Sequence, residues 1–230
     1  MSASIDDDGS GLSGLAHHES SDEIVARYDE WASGYDGDLA AWGYTVPTSI
    51  ADALDRHLVP GEGGPGTGPV LDAGCGTGLI GRALQQRGIG PIDGIDVSTN
   101  SLVRAAARDL YRSLTAIDLS APLPLRSAMY RAVVCGGVLT YLSDTEAVLR
   151  ELLRVTRPGG VVIATQRTDL WVERQCDAVL AGLIASGVCE ADVGDPHSYL
   201  PGHVEYGDDI LVKTITLHRR YYPAGALRLR

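Results

Sequence analysis

The chain has 230 residues, a net charge of −11 and 44% hydrophobic residues, a length and composition that suit one domain with a full core. The acidic balance argues against binding DNA or RNA through phosphate contacts, which needs a basic face. No segment reaches the roughly 18 apolar residues required to span a bilayer, and no signal peptide is visible. The four widely spaced cysteines form no CxxC pair, which predicts reduced thiols in a cytoplasmic protein.

The first part of the chain divides into a polar tail and a helical segment. Residues 1–21 are rich in Ser, Gly and Asp with few large apolar groups, so we expect a disordered acidic tail. Residues 22–58 show helical spacing of their apolar positions and carry Tyr28 and Tyr35. A loop made mostly of Gly and Pro follows at 59–69 and separates this segment from the rest of the chain.

Strands and helices alternate after this loop. Apolar runs predict strands at 69–73, 91–96, 114–118, 131–137 and 160–166. Helical periodicity predicts helices at 78–88, 99–110, 144–156 and about 171–186. Such alternation is typical of a doubly wound α/β fold with a mostly parallel sheet, and we expect residues 22–230 to form one domain.

The third of these helices and the C-terminal region carry finer expectations. Ser143 and Glu146 fit a capping box at the start of the helix, and the RPGG stretch at 157–160 is expected to end it. A polar loop is expected at 190–209. The last apolar run, at 210–221, predicts a long strand that adds antiparallel to the sheet edge.

The first strand-to-helix junction, VLDAGCGTGLIG, is the most informative stretch of the sequence. Doubly wound sheets bind nucleotides at this junction, although glycine-rich turns also serve tight packing. Gly74, Gly76 and Gly78 give G-x-G-x-G, and Leu79 stands where the dinucleotide fingerprint needs a glycine. Asp72 would repel a pyrophosphate but suits an amino group or a positive charge. S-adenosylmethionine (SAM) carries both and has no phosphate.

Carboxylates at the ends of the next two predicted strands support a nucleoside ligand. Asp96 is positioned to accept hydrogen bonds from both ribose hydroxyls, a feature that enzymes using NAD share. Asp118 is positioned to accept from an adenine amino group, while the Leu119 N–H donates to the ring. The alternative for Asp118 is that it caps a helix or a turn.

Together these motifs resemble those of the class I SAM-dependent methyltransferases. The resemblance runs over about residues 25–222, through VLDAGCGTGLIG, GIDVSTNSLVRAA, AIDLSAPLPL, YRAVVCGGVLTYL and LLRVTRPGGVVIAT. The chain is also similar to the Williams–Beuren-region methyltransferase-like group, in YDEWASGYDGDLAAWGYTVP, in LYRSL and in a late YLP. The resemblance implies SAM as cofactor and a Rossmann-like, seven-stranded sheet, mostly parallel with an antiparallel strand near the C-terminus.

The family pattern also implies roles for individual residues. Around the methionine part of SAM it places Asp72, Gly74, Cys75, Gly76, Gly78, Cys135 and Gly136, the last two through their backbone. Around the ribose and adenine it places Asp96, Val97, Asp118 and Leu119. Cys135 has the alternative of being a small core residue.

The leading helix is expected to cover the cofactor and to frame the acceptor pocket, so residues 22–58 are interpreted as a lid. Tyr28 and Tyr35 would then add a cation–π attraction of about 0.5–2 kcal/mol to the sulfonium. The alternative for both rings is simple packing against the sheet.

Methyl transfer from a sulfonium depends on alignment of the nucleophile and exclusion of water, and a base is needed only for a protonated acceptor. We expect the loop DPHSYLPGHVEYG to help bind the acceptor, with His203 as the first base candidate. Tyr141 is the rival, better suited to orient the acceptor than to deprotonate it. His197 is a second loop histidine, and solvation is the alternative interpretation for both.

The sequence therefore predicts an enzyme that methylates an O, N or C atom of a small molecule, as a monomer or homodimer and with no metal. The stretch CGGVLTY at the fourth strand lacks the Asn/Asp-Pro-Pro-aromatic signature of many amide and aminobase methyltransferases. This argues against nucleobase methylation, as the acidic charge does. The alternatives are a SAM-binding module without turnover and a cyclase-like enzyme with the same fold.

Overall fold

The computed structural model describes residues 34–58, 68–204, 207 and 209–221. The expected tail at 1–21 and the aromatic Tyr28 lie outside the described residues. Within those ranges no helix is long and apolar enough to cross a membrane.

Helices and strands alternate along the described chain. The helices are α1 (Tyr35–Ala41), α2 (Val46–His57), α3 (Leu79–Gln85), α4 (Thr99–Ala106), α5 (Thr145–Val155) and α6 (Cys176–Ala185), with a 3₁₀ turn at Leu139–Tyr141. The strands are β1 (Val70–Ala73), β2 (Ile92–Asp96), β3 (Ser113–Ala116), β4 (Tyr130–Cys135), β5 (Thr156–Arg167), β6 (Cys189–Val193), β7 (His197–Ser198) and β8 (Leu211–Arg219).

The strands form one sheet in the order β3-β2-β1-β4-β5-β8-β6, with the short β7 paired to β8. Pairing is parallel from β3 to β5, and β8 runs antiparallel to both of its neighbours. This confirms the expected mostly parallel sheet with an antiparallel strand near the C-terminus. The strand order reverses between β1 and β4, where a doubly wound sheet leaves a crevice at its carboxyl edge.

Both faces of the sheet are buried because its central strands are apolar on both sides. On β1, Val70 packs in a layer with Ile50 of α2 and Leu84 of α3. Its neighbour Leu71 points to the opposite face and packs in a layer with Leu149 of α5. Successive strand residues alternate between faces, so a continuous apolar run is what a sheet covered by helices on both sides requires.

The start of α5 differs from the expected capping box. The N-cap is Asp144, whose side chain accepts a 2.9 Å hydrogen bond from the Ala147 N–H. Glu146 instead pairs with Arg150 one turn later on the exposed face. Ser143 therefore lies one residue before the N-cap. Asp144 caps the helix in its place, since aspartate and serine side chains both accept a hydrogen bond well from a backbone N–H in the first turn.

Two further expectations about the C-terminal half are corrected. The RPGG stretch does not separate helix from strand: β5 begins at Thr156, and the four residues 157–160 bulge between the Tyr130–Thr156 and Ala132–Val161 pairs. The region expected to be a polar loop contains β6 and β7, which both pair with β8. Polar sequences form strands here because β8 supplies the backbone hydrogen bonds at the sheet edge.

Candidate cofactor and acceptor site

The glycine loop turns the chain from β1 into α3 with three positive φ angles, +74° at Gly74, +51° at Gly76 and +94° at Gly78. A Cβ on Gly74 would lie 2.3 Å from Cγ2 of Val138, so no side chain fits there. A Cβ on Gly76 would meet nothing within 4 Å. Gly76 faces open space, and the loop presents bare backbone to whatever occupies it.

That open space is a cavity at the carboxyl edge of the sheet, where the strand order reverses. Its wall includes many of the residues expected from the sequence: Tyr35, Gly74, Gly76, Asp96, Val97, Asp118, Leu119, Gly136 and Tyr141. Other expected site residues do not line it: Asp72, Cys75, Gly78, Cys135 and His203.

Asp96 lies at the end of β2 with its carboxylate anchored on both sides. Its Oδ2 accepts a 2.7 Å hydrogen bond from the Gly76 N–H, and its Oδ1 accepts a 2.8 Å bond from the Ser98 N–H. These two bonds hold the carboxylate in place on the cavity wall.

Asp118 follows β3 on the same wall. Its oxygens accept 2.8 Å and 2.7 Å hydrogen bonds from the backbone N–H and the hydroxyl of Ser120. Asp118 therefore caps a turn, which is the alternative interpretation of this residue. Its position on the cavity wall leaves it within reach of a ligand as well.

Asp72 is fully buried behind the cavity wall. Its Oδ2 accepts a 2.8 Å hydrogen bond from the Tyr111 hydroxyl, and its Oδ1 has no partner among the described residues. Burial raises the pKa of Asp72 to about 7. The expectation of direct contact with a positively charged ligand group is thus corrected, because the side chain points into the protein interior. Gly81 makes room for this, since a Cβ there would lie 2.3 Å from the Tyr111 hydroxyl oxygen.

The two expected cysteines and the last glycine of the motif also stand away from the wall. Cys75 and Cys135 are buried, and burial raises the pKa of the Cys135 thiol to about 12. Cys135 is thus a small core residue, the alternative considered for it, while the adjacent Gly136 reaches the wall. Gly78 lies under Arg108 and Tyr111.

Tyrosines line the other end of the cavity: Tyr35, Tyr44, Tyr141 and Tyr199. The rings of Tyr44 and Tyr199 meet edge-to-face, with centroids 5.4 Å apart and planes at 88°. Burial is the main cause that raises the pKa of Tyr35, Tyr44 and Tyr199 above its ordinary value. These three hydroxyls are therefore protonated at neutral pH.

His203, the first base candidate, is not on this wall. Its side chain is buried, and its ring packs edge-to-face on Trp42 with centroids 4.6 Å apart. His197 lies in β7, paired with Val212 of β8. The base assignment is corrected on this geometry, because neither imidazole reaches the cavity. The expected loop nevertheless contributes Tyr199 to the wall.

Similarity to known proteins identifies the family of the chain. A family model for a methyltransferase domain matches residues 71–164. Human methyltransferase-like protein 27 is 35% identical over 175 residues, which are 74% of this chain and 69% of that relative. The chain belongs to the class I SAM-dependent methyltransferases. The expected family, enzyme class and cofactor are thereby confirmed.

Other relatives of the methyltransferase differ in what they act on. The malonyl-[acyl-carrier protein] O-methyltransferase of Serratia marcescens is 34% identical over 125 residues, and the match spans 54% of this chain and 48% of that relative. A solved geranyl diphosphate methyltransferase in complex with SAM has a TM-score of 0.57 at 17% identity, covering 75% of this chain and 85% of its own. The [4+2]-cyclase SpnF has a TM-score of 0.59 at 19% identity, covering 76% and 81%. These structures show the fold alone.

The sequence did not point to several wall residues of the methyltransferase. Tyr44 and Tyr199 meet only because α1 and α2 pack beside β7, where the Thr45 hydroxyl donates to the Ser198 carbonyl oxygen at 2.7 Å. Ser98 and Ser101 line the wall at the start of α4. A signal for Ser98 existed, because a serine directly after a strand-end aspartate is a common helix N-cap, and its side chain accepts from the Ser101 N–H.

Proposed function

We propose that this methyltransferase moves a methyl group from SAM to an oxygen, nitrogen or carbon atom of a small-molecule acceptor. The observation that carries the proposal is the continuity of one cavity wall, from Asp96 and Val97 at one end to Tyr141 and Tyr199 at the other. A nucleoside held at the first end leaves the tyrosine end for the acceptor.

The residues of the wall fit the cofactor. Gly76 offers bare backbone facing open space, and Asp96 offers two anchored carboxylate oxygens to a ribose diol. Among the described wall residues there is no Lys or Arg, which suits a ligand without phosphate. When bound, SAM supplies a methyl group already activated on a sulfonium.

The tyrosines orient the acceptor in this account. Because burial raises the pKa of Tyr44 and Tyr199, their hydroxyls donate and accept hydrogen bonds but do not take up a proton at neutral pH. We therefore expect an acceptor whose nucleophilic lone pair is free at neutral pH. Rate enhancement then comes from alignment with the methyl group and from exclusion of water.

Water is excluded by the N-terminal lid, of which α1 and α2 are described. Tyr35 of α1 and Tyr44, just before α2, both lie on the cavity wall. We propose that residues 22–58 act together as this lid. Truncation through Gly37 removes Tyr35 and should abolish turnover, while truncation of residues 1–21 should leave it intact.

The acceptor and compartment are proposals of the same kind. The name of the Serratia relative supports oxygen among the three acceptor atoms. The four cysteines are free and buried, which supports a reducing cytoplasm, where thiols stay reduced. We propose a monomer or homodimer that acts without nucleic acid or membrane.

Calorimetry followed by an acceptor screen tests this function. SAM and S-adenosylhomocysteine should bind in the micromolar range, with NAD at least about tenfold weaker, because the glycine spacing does not fit a dinucleotide. S-adenosylhomocysteine release should then depend on a small-molecule acceptor. Binding without turnover on any acceptor would favour a SAM-binding module, and turnover without a heavier product would favour a cyclase.

A further inference from the structure

A buried arginine ends β5 on the acceptor side of the sheet. Arg167 has a side chain that is only 9% exposed. Its Nε and Nη2 donate hydrogen bonds of 3.1 Å and 2.6 Å to the two carboxylate oxygens of Asp169. Burial of a guanidinium costs free energy unless the group is paired and hydrogen-bonded. Asp169 meets this requirement for Arg167.

Arg167 is not itself one of the wall residues, but the strand geometry places it next to the tyrosine end of the cavity. Two residues earlier on the same face of β5, the Thr165 hydroxyl accepts a 3.0 Å hydrogen bond from the N–H of Gly137, a wall residue. Residues two apart on a strand share a face and lie about 6.5–7 Å apart. A Cβ on Gly137 would be 2.5 Å from the Tyr44 hydroxyl oxygen and 3.9 Å from that of Tyr199.

Two hydrogen-bond donors remain available in this corner. Nη1 of Arg167 donates to no group within the described part of the chain, although Nε and Nη2 are both used. The hydroxyls of Tyr44 and Tyr199 are hydrogen-bonded to each other, and this bond uses one of their two protons, which leaves the other for a ligand. Arg167 also interacts electrostatically with Tyr199 and Tyr141.

We propose that Arg167 and Tyr199 bind a carboxylate carried by the acceptor, so that the methyltransferase acts on a carboxylic acid. The deduction deepens the proposed function and rests on it. One charged donor and one neutral donor match the two oxygens of a carboxylate, and charge-assisted bonds of this kind are the strong ones. Asp169 already balances the charge of Arg167, so a monoanion fits better than a phosphate dianion.

Calorimetry on protein saturated with S-adenosylhomocysteine tests this site, with phenylacetate and the neutral phenylacetamide as probes. The wild type should bind phenylacetate about tenfold or more tightly than the amide. Arg167→Met should remove that preference. Arg150→Met, which breaks an exposed pair with Glu146 on α5, is the matched control and should retain it.

Arg167→Met leaves Asp169 unpaired, and this variant could fail to fold. Two further variants test the site in that case. Asp169→Asn frees the guanidinium and should strengthen phenylacetate binding about threefold, whereas a purely structural ion pair predicts weakening. Tyr199→Phe keeps the ring and should weaken phenylacetate binding without changing that of the amide.

The outcomes separate this proposal from the proposed function. Equal affinity for the two probes in the wild type, a preference that survives in Arg167→Met, or weaker phenylacetate binding in Asp169→Asn would each overturn the carboxylate site. Those results with intact S-adenosylhomocysteine binding leave the proposed function standing. Loss of S-adenosylhomocysteine binding in the wild type contradicts the proposed function itself.

Discussion

Asp36 of α1 accepts a 2.6 Å hydrogen bond from the hydroxyl of Thr77 in the glycine loop. The same carboxylate pairs with Arg108, which follows α4, and Nε of Arg108 donates to the Thr77 carbonyl oxygen at 2.6 Å. These three residues form a closed ring of contacts that connects α1 to the glycine loop and to the end of α4. Because Tyr35 and Thr77 both line the cavity, the ring lies directly beside it.

The first prediction concerns this ring. Asp36→Asn should accelerate S-adenosylhomocysteine dissociation about tenfold, because a charge-assisted contact of the lid is lost. Global stability should change little, since the pair is partly exposed to solvent. Stopped-flow displacement measures the rate. Glu146→Gln, which weakens the exposed pair with Arg150 on α5 and outside the proposed lid, is the control, and equal rates in the two variants would show that the ring does not hold the lid.

The second prediction concerns the ribose. Asp96→Ala should remove the two charge-assisted hydrogen bonds that we propose to the diol, each worth roughly 1.5–3 kcal/mol, so S-adenosylhomocysteine affinity should fall at least about tenfold. Asp118→Ala should cost less, because the Asp118 carboxylate already bonds twice to Ser120. Calorimetry on both variants decides the point. A larger loss in Asp118→Ala would move the main nucleoside contact to β3.

The third prediction is a pH dependence of stability that arises from Asp72. Its ordinary pKa is 3.8 and burial raises it to about 7 in the folded protein, so the folded state binds the proton more tightly than the unfolded state. Its contribution is fully present below pH about 4 and is lost as the pH rises to about 7, about 4 kcal/mol in all.

Urea unfolding at a series of pH values measures this loss. Asp72→Asn cannot ionise and can still accept from Tyr111, so the decline between pH 4 and 7 should flatten relative to the wild type. Tyr111→Phe, which keeps Asp72 ionisable, is the control and should retain the decline. An unchanged slope in Asp72→Asn would mean that another group binds this proton.

The fourth prediction separates His203 from Tyr141. His203→Phe keeps an aromatic ring against Trp42, and turnover should stay within about twofold of the wild type, because the imidazole does not reach the cavity. Tyr141→Phe should lower turnover about tenfold through loss of an orienting hydrogen bond. Steady-state kinetics compare the two, and a loss of about 10²-fold or more in His203→Phe would restore the histidine as base.

The central sheet could be predicted from the sequence because each parallel strand is apolar on both faces. Val70 and Leu71 illustrate this, since they are adjacent and both fully buried. The edge strands could not be predicted in the same way. Cys189–Val193 and His197–Ser198 are mixed in polarity, and they become strands only because β8 lies beside them.

Some wall residues of the cavity could be predicted from the sequence and others could not. Gly76 and Asp96 belong to a local strand-to-helix pattern whose chemistry is set by neighbours in the chain. Tyr44 and Tyr199, by contrast, are brought together by tertiary packing across most of the sequence. Asp72 was misplaced because its partner Tyr111 lies beyond α4, and no local pattern links the two.

Transfer of a labelled methyl group tests the central claim most directly. The protein is incubated with SAM carrying a ¹³C methyl group and a small-molecule extract, and the products are separated by mass spectrometry. We predict one small molecule heavier by a single labelled methyl group, formed in step with S-adenosylhomocysteine and lost in Asp96→Ala. Tight S-adenosylhomocysteine binding with no labelled small molecule, or label found on macromolecules instead, would contradict it.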